Sequence, residues 1–278
     1  MQKLTHEKKG EGEGCGFWPV MEKMKFGVGN SKFLRRFRFG FLPFGSGQTN
    51  RNWPVLLDPI HSMSYCISFD DVKAAHERVK PFTNLTPILT SSTITKWSSR
   101  SNVLFKVEAF QKTGSFKFRG ATSAVQDLPA DIAAKGVVTH SSGNHAQALA
   151  LAAKNRKTTA NIIMPDTAPI TKQNAVREYE ATVTICSPTE RVSTCAKIAE
   201  QTGGTIIHPS ENPKVIAGQG TVSLELVSQS KDFLPPGESL DLVIIPVGGG
   251  GLASGNSIAL RGLLGDKVKV SERSKLAL

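Results

Sequence analysis

The sequence predicts an α/β protein built on parallel strands, and three observations carry this prediction. From about residue 68 onward, short apolar runs of strand length alternate with segments of helical period. The 278 residues include 39% hydrophobic and 21% charged residues, as in an ordinary globular protein. No apolar run approaches the ~18 residues that a membrane-spanning helix needs, so we expect no membrane partner.

The first predicted helix begins at Ser68, which forms an S-x-x-D start with Asp71. Val72 and Val79 recur on one face of it, and Pro81 ends it. Strands and helices then alternate. The predicted strands are 103–109, 137–139, 160–164, 182–186, 205–208, 242–247 and 268–270, and the predicted helices are 116–125, 144–154, 171–179, 190–201, 220–227 and 253–263.

Residues 1–64 differ in composition from the rest of the chain. The whole sequence has a formal net charge of +11. Residues 1–62 carry ten Lys and Arg against five Asp and Glu, and Lys32–Phe39 interleaves cations with aromatic rings. Such a run suits nucleic acid or an anionic membrane. Glycine-rich flanks and the lack of a helical period instead favour a solvated, disordered extension. We therefore expect no nucleic-acid partner and a cytoplasmic protein, with organelle targeting as the alternative left open.

Three loops between a predicted strand and the next helix are unusual in composition, and they cover residues 113–117, 141–145 and 248–251. In parallel α/β sheets, ligands bind in the loops at the carboxyl ends of the strands. These three loops are therefore the places where chemistry is expected.

The third loop is a run of four glycines, Gly248, Gly249, Gly250 and Gly251. Bare backbone N–H groups at a helix N-terminus can surround a phosphate, and the helix dipole adds partial positive charge. Neither GxGxxG nor the P-loop pattern occurs there, so a dinucleotide or a P-loop nucleotide is not the first choice. The glycines indicate a phosphate site or, as the alternative, a flexible loop without a ligand.

The second loop contains Ser141, Ser142, Asn144 and His145. Its small residues leave backbone amides within reach of a carboxylate. The alternative is that Ser142 or Asn144 caps the following helix and does nothing more.

The first loop ends in Lys117, which Phe116 and Phe118 flank. An apolar setting lowers the pKa of a lysine and frees its amine to attack a carbonyl. A solvated lysine is the alternative. Because Arg119 follows two residues later, we expect one member of this pair to point outward.

Together, these loops resemble the fold-type II pyridoxal-phosphate (PLP) enzymes of the serine/threonine dehydratase family. The resemblance rests on Gly-Ser-Phe-Lys-Phe-Arg-Gly-Ala at 114–121, Ser-Ser-Gly-Asn-His-Ala-Gln-Ala at 141–148 and Pro-Val-Gly-Gly-Gly-Gly-Leu at 246–252. It extends from about residue 65 to residue 270. It implies parallel sheets flanked by helices in two domains: a large domain from 65–135 and 214–278, and a small domain from 136–213.

The resemblance also implies a role for each residue of the loops. Lys117 would hold the cofactor as a Schiff base, Asn144 would bind its ring 3-hydroxyl, and Gly248 to Gly251 would bind its phosphate. Ser141, Ser142 and His145, with neighbouring amides, would receive the substrate carboxylate. Lys117 would remove a proton from one face of serine, and Ser142 would deliver one to the other.

The implied activity is racemisation of serine, with β-elimination to pyruvate and ammonia as a side reaction. The open alternatives are a threonine or serine dehydratase and a catalytically impaired family member. By the same resemblance we expect a homodimer that binds Mg²⁺ and ATP, although no metal ligands can be assigned in this sequence.

Two departures from the family pattern stand out in the sequence. Family members continue well past the point where this chain ends, which implies that the large domain is incomplete here. Glu180 stands where relatives usually have a glycine, and a turn that needs positive φ would be strained at this residue.

Overall fold

The structure is a computed structural model that describes residues 65–98 and 102–274. The expectations for the extension at 1–64 therefore lie outside the described residues. Within the described ranges, no helix is long and apolar enough to cross a membrane.

The first helix, α1 (Phe69–Val79), begins as the sequence predicts. The Ser68 hydroxyl accepts the backbone N–H of Asp71 at 3.1 Å, and the Asp71 carboxylate accepts the backbone N–H of Ser68 at 2.8 Å. This reciprocal pair satisfies two N–H groups that the helix leaves without partners. Val72 and Val79 are fully buried, which confirms the predicted apolar face.

The next elements are a short antiparallel pair with a helix between its strands, β1 (Ile88–Thr90), α2 (Ser92–Ser98) and β2 (Leu104–Lys106). The sequence reading did not predict β1 or α2, because residues 88–98 show neither a sustained helical period nor a long apolar run. Strand β2 is shorter than the predicted 103–109, since a 3-10 turn at Glu108–Phe110 interrupts it.

The central part of the chain is a four-stranded parallel sheet with helices on both faces, as predicted. Its strand order is β5-β4-β3-β6. The elements in chain order are α3 (Lys117–Gln126), α4 (Ala130–Ala133), β3 (Val137–His140), α5 (Asn144–Arg156), β4 (Ala160–Pro165), α6 (Ile170–Arg177), β5 (Thr182–Cys186), α7 (Arg191–Thr202) and β6 (Thr205–Ile206).

The two faces of this sheet are covered by different helices. On one face, Phe118 of α3 and Leu149 of α5 pack in one cluster with Ile162 of β4. On the other face, Cys195 of α7 packs against Val138 of β3 in a second cluster. The sheet is therefore buried on both sides, which is why its strands read as continuous apolar runs in the sequence.

The turn before β5 has the strained geometry that the sequence predicts. Glu180 has φ of +65°, in the left-handed region that favours glycine. Its carboxylate lies 2.6 Å from Nζ of Lys154, which holds the turn against α5.

The last part of the described chain contains α8 (Pro213–Ser230), β7 (Leu242–Val247), α9 (Gly251–Leu264) and β8 (Lys269–Ser274). Strands β7 and β8 form a parallel pair. The prediction that α8 starts near residue 220 was wrong. The helix begins at Pro213 because the Asn212 side chain accepts the N–H groups of Lys214 and Val215, and because proline suits the first turn.

Helices α8 and α9 cross with their backbones almost in contact. A Cβ added to Gly255 would overlap the carbonyl oxygen of Ile216 and lie 2.7 Å from the amide nitrogen of Gly220. We expect Gly255→Ala to lower the free energy of unfolding by about 1–3 kcal/mol, because the helices must move apart. Urea denaturation measures this loss. Gly248→Ala is the matched control, since its Cβ would meet no atom within 4 Å; equal stability of both variants would contradict the close crossing.

Candidate active site

Lys117 stands at the start of α3, and its amine is held inside the protein. Its Nζ donates a hydrogen bond to the carbonyl oxygen of Pro209 at 2.7 Å. Burial lowers the pKa of Lys117 to about 8, as its apolar neighbours led us to predict. About a tenth of this amine is therefore unprotonated at pH 7, and the neutral form is the one that acts as a nucleophile.

The structure corrects the expectation that either Lys117 or Arg119 points outward. Arg119 is fully buried: its Nε lies 2.8 Å from Oε2 of Glu108 and its Nη1 lies 2.6 Å from Oε1 of Glu225. Burial opposes the charge of Arg119, but the hydrogen bonds to Glu225 and Glu108 hold its pKa above the ordinary value. Lys106 shares Glu225 at 2.6 Å. Arg119 points inward because two carboxylates neutralise its guanidinium, whereas Lys117 points inward with the Pro209 carbonyl oxygen as its hydrogen-bond partner.

The glycine loop has the conformation of an open helix N-terminus. Gly250 has φ of +84° and precedes α9 without any side-chain cap. The backbone N–H of Ser254 donates to the carbonyl oxygen of Gly250, the residue before α9, at 2.9 Å. The backbone N–H groups of Gly251, Leu252 and Ala253 precede this first helical hydrogen bond, and such N–H groups at a helix start have no acceptor within the helix.

One side of the glycine loop rests on Ser210, and the other side is open. A Cβ at Gly249 would lie 2.6 Å from Oγ of Ser210, and one at Gly251 would lie 3.0 Å from its carbonyl oxygen. A Cβ at Gly248 would meet nothing within 4 Å. The loop therefore borders a space large enough for added atoms.

The loop at 141–145 leads into a second helix N-terminus that no side chain caps. Gly143 is the residue before α5, and neither Ser142 nor Asn144 caps this helix; both are exposed. Ser141 is tied to the sheet, since its backbone N–H donates to Ile163 at 3.0 Å. The alternative of a plain helix cap finds no support in this geometry.

The ring of His145 points into the core rather than toward solvent. Its Nε2 lies 3.2 Å from the carbonyl oxygen of Ile207, and this oxygen can only accept, so Nε2 carries the proton. Burial lowers the pKa of His145 to about 3, and the nearby charge of Lys117 adds to the effect. The imidazole is neutral, and the backbone N–H is what this residue presents at the start of α5.

The sequence reading did not single out two features of this region. Lys172 brings a positive charge to the second loop, since a Cβ at Gly143 would lie 3.8 Å from its Nζ. Residues Ile207–Ser210, here called the junction segment, contact the elements that carry all three loops. The sequence could have indicated the junction segment, because this segment also follows a strand and precedes a helix.

The lowered pKa of Lys117 predicts a pH dependence for its reaction with aldehydes. Only the neutral amine attacks a carbonyl, so the rate of adduct formation should rise with pH and level off above about 8. A fully solvated lysine keeps gaining reactivity up to about pH 10.4. Peptide mass spectrometry after borohydride trapping at several pH values compares Lys117 with the exposed lysines of the chain. A Lys117 profile parallel to theirs would contradict the burial of the Lys117 amine.

Comparison with known proteins decides the family. A family model described as "Pyridoxal-phosphate dependent enzyme" matches residues 79–271. This chain belongs to that family. The loops that resemble the PLP enzymes in sequence thus lie within the matched region.

Individual relatives of this PLP-family chain are similar to it over most of its described length. Serine racemase from Homo sapiens is 45% identical over 204 residues, which are 72% of this chain and 58% of that protein. The β-hydroxyaspartate dehydratase from Paracoccus denitrificans is 46% identical over 198 residues, or 70% of this chain and 60% of that protein. The chain therefore spans about three fifths of the length of these relatives.

The fold agrees with solved structures of the family. Serine racemase from Dictyostelium discoideum superposes with a TM-score of 0.71 at 45% identity, covering 76% of this chain and 67% of that one. A T.th. threonine deaminase superposes with a TM-score of 0.70 at 38% identity, covering 76% of this chain and 66% of that one. The α/β architecture predicted from the sequence, with helices flanking parallel strands, is confirmed.

The residues present fit the cofactor of the family. PLP needs an amine for its aldehyde, and Lys117 offers one with a lowered pKa. Its phosphate needs backbone donors beside free space, which the uncapped start of α9 and the open side of Gly248 provide. Within residues 65–98 and 102–274, no group of three or more His, Cys, Asp or Glu is placed to hold a metal ion.

Proposed function

We propose that the protein is a PLP-dependent racemase that interconverts L-serine and D-serine, with β-elimination to pyruvate and ammonia as a side reaction. One observation carries the proposal: the lowered-pKa amine of Lys117 and the glycine loop touch neighbouring residues of one segment, Pro209 and Ser210. An amine and a phosphate site that share this segment suit one small cofactor with an aldehyde and a phosphate group.

Three groups would hold the cofactor. Lys117 would bind its aldehyde carbon as a Schiff base, and the backbone N–H groups of Gly248, Gly249, Gly250 and Gly251 would surround its phosphate. Asn144, exposed at the start of α5, would donate to the ring hydroxyl. When bound, PLP withdraws electrons from the Cα of an amino acid and so makes the Cα proton removable.

The start of α5 would bind the substrate carboxylate. Ser141, Ser142 and the backbone N–H of His145 surround a helix N-terminus without a side-chain cap, where the helix dipole favours an anion. Lys172 adds positive charge to the same loop. The neutral ring of His145 holds this loop in place from the core side, because it hydrogen-bonds to the carbonyl oxygen of Ile207.

Two side chains would move the Cα proton. The Lys117 amine would take it from one face, which its pKa of about 8 permits at neutral pH. The Ser142 hydroxyl would deliver a proton to the opposite face. Its exposed side chain, on a loop fixed to the sheet through Ser141, supports this assignment.

The experiment is a paired assay of L-serine with PLP, measuring D-serine and pyruvate in the same samples. We expect D-serine from the unmodified chain, and loss of D-serine with retained pyruvate in Ser142→Ala. Ser193→Ala is the control, because it removes an exposed hydroxyl on α7, outside the candidate site. A chain that binds PLP and forms neither product would overturn the proposed activity.

A second candidate is a dehydratase that eliminates water from a hydroxy amino acid. The relative named β-hydroxyaspartate dehydratase favours it, and so does the positive charge of Lys172 beside the carboxylate loop. Turnover of 3-hydroxyaspartate, serine and threonine in one assay separates the candidates. Pyruvate from serine without D-serine would select a serine dehydratase. PLP binding without any product would select an impaired family member.

The open side of the glycine loop yields a prediction about the phosphate. We expect Gly248→Val to leave the cofactor-free protein folded, since no atom lies within 4 Å of the added Cβ. The same side chain would occupy space that the phosphate needs, so PLP affinity should fall by a factor of ten or more. Pyridoxal without the phosphate is the control ligand, and its affinity should change little. Unchanged PLP affinity would contradict the phosphate assignment.

The remaining expectations from the resemblance stay predictions. They are the division into a large domain at 65–135 and 214–278 and a small domain at 136–213, a homodimer, binding of Mg²⁺ and ATP, and a cytoplasmic location.

A further inference from the structure

The junction segment, Ile207–Ser210, connects four parts of the candidate site through successive residues. The carbonyl oxygen of Ile207 accepts hydrogen bonds from His145 of α5 at 3.2 Å and from Thr139 of β3 at 2.8 Å. The carbonyl oxygen of Pro209 accepts from Lys117. Ser210 packs against the glycine loop, at Gly249 and Gly251. The shape of this segment therefore sets where the amine and the phosphate loop stand relative to each other.

His208 determines that shape through its own side chain. Its Nδ1 accepts the backbone N–H of Ser210 at 3.3 Å and that of Glu211 at 3.1 Å. Two N–H donors require a lone pair on Nδ1, so the proton of the neutral ring is on Nε2, which faces the Glu211 carboxylate at 3.9 Å. His140 at the end of β3 packs edge-on against the ring, with centroids 5.8 Å apart. The imidazole is thereby fixed on both sides.

These contacts close a tight turn around Pro209. A side-chain acceptor that binds N–H groups two and three residues ahead is the geometry by which an Asx turn fixes the backbone. Without that acceptor, the N–H groups of Ser210 and Glu211 would turn to water and the turn would open. Pro209 and Ser210 would then move away from Lys117 and from the glycine loop together.

We propose that His208 is a positioning residue for the PLP site: its Nδ1 fixes the turn that presents the Pro209 carbonyl to Lys117 and supports the glycine loop through Ser210. The role rests on the proposed function only in that the site is taken to bind PLP. His208 itself touches neither the cofactor nor the substrate in this account, and it acts through the backbone of the turn.

Two substitutions that are nearly isosteric with each other separate the effect of the acceptor from the effect of losing the ring. Asparagine places its side-chain oxygen where Nδ1 of histidine stands, so His208→Asn keeps the acceptor. His208→Leu fills similar space without one. We expect PLP affinity within about threefold of the unmodified chain for His208→Asn and a loss of about tenfold or more for His208→Leu, measured by absorbance titration. Equal affinity for both variants, whether retained or lost, would overturn the proposal.

A cofactor-free readout keeps the test independent of the proposed function. Competitive acetylation followed by peptide mass spectrometry reports the pH midpoint of Lys117, which burial places near 8. In His208→Leu the opened turn admits water to the amine, so this midpoint should rise toward that of an ordinary lysine. It should stay in place in His208→Asn. If the unmodified chain binds no PLP, the proposed function fails, yet these midpoints still decide the role of His208.

Amide hydrogen exchange on the unmodified chain needs no variant and covers the case in which His208→Leu does not fold. The N–H groups of Ser210 and Glu211 should exchange more slowly than those of free loop residues, because Nδ1 holds both. Exchange at the rate of an unprotected amide at both positions would overturn the proposed turn.

Discussion

Arg119→Met is expected to lower the free energy of unfolding by about 3–5 kcal/mol, the range for breaking a buried ion pair by removing one partner. The guanidinium is fully buried and joins Glu108 on one side to Glu225 on the other. Its removal leaves the Glu108 carboxylate without its cation and Glu225 with Lys106 alone. Because α3 begins at Lys117, loss of this anchor should also loosen the reactive lysine.

Urea denaturation at pH 7 measures this loss, with Lys73→Met as a control that removes a cation from an exposed pair. The loss of free energy of unfolding in Arg119→Met should also depend on pH. Burial raises the pKa of Glu225, but Arg119 and Lys106 outweigh burial and hold it below the ordinary value. The stability that Glu225 contributes is therefore present above about pH 4.3 and is lost as pH falls further. A deficit no larger than that of the control would contradict the buried network.

Lys117→Ala is expected to abolish covalent attachment of PLP while leaving the chain folded. The side chain makes one hydrogen bond, to Pro209, and its burial without a carboxylate disfavours the charged form. Removing the side chain should therefore change the free energy of unfolding little. It should abolish the reaction of the amine with the PLP aldehyde. Absorbance of the protein–cofactor adduct and its survival after borohydride reduction measure the effect.

Lys112→Ala is the matched control, since Lys112 directly precedes the same loop but is exposed. It should bind PLP as the unmodified chain does. An adduct of equal yield in Lys117→Ala would mean that another amine reacts, and the assignment of Lys117 would be lost.

The parallel core could be predicted because its signal is local. Strands β5 and β7 have the predicted bounds, and the continuous apolar runs of β3 and β4 reflect a sheet that is buried on both faces. The start of α8 could not be predicted in the same way. Its first turn depends on the Asn212 side chain and on Pro213, which read as loop residues in the sequence.

The candidate site was predictable as three loops but not as an arrangement. The glycine run and Lys117 are visible in the sequence because each has a chemical meaning by itself. The inward orientation of Arg119 depends on Glu225, which lies 106 residues away in the chain. The role of His208 depends on which backbone N–H groups its ring meets. The contact between Arg119 and Glu225 arises only from tertiary packing, so local patterns carry no trace of it. The contacts of His208 are local, two and three residues ahead, but no propensity rule assigns a histidine ring to such a turn.

We infer that one amine, Lys117 Nζ, binds the PLP aldehyde. The most direct measurement is to incubate the unmodified chain with PLP near pH 8, reduce the adduct with borohydride, digest it and locate the phosphopyridoxyl mass by peptide sequencing. We expect that mass on the peptide containing Lys117, at close to one label per chain. A label spread over exposed lysines, with Lys117 unmodified, would contradict the assignment of Lys117 as the residue that binds PLP.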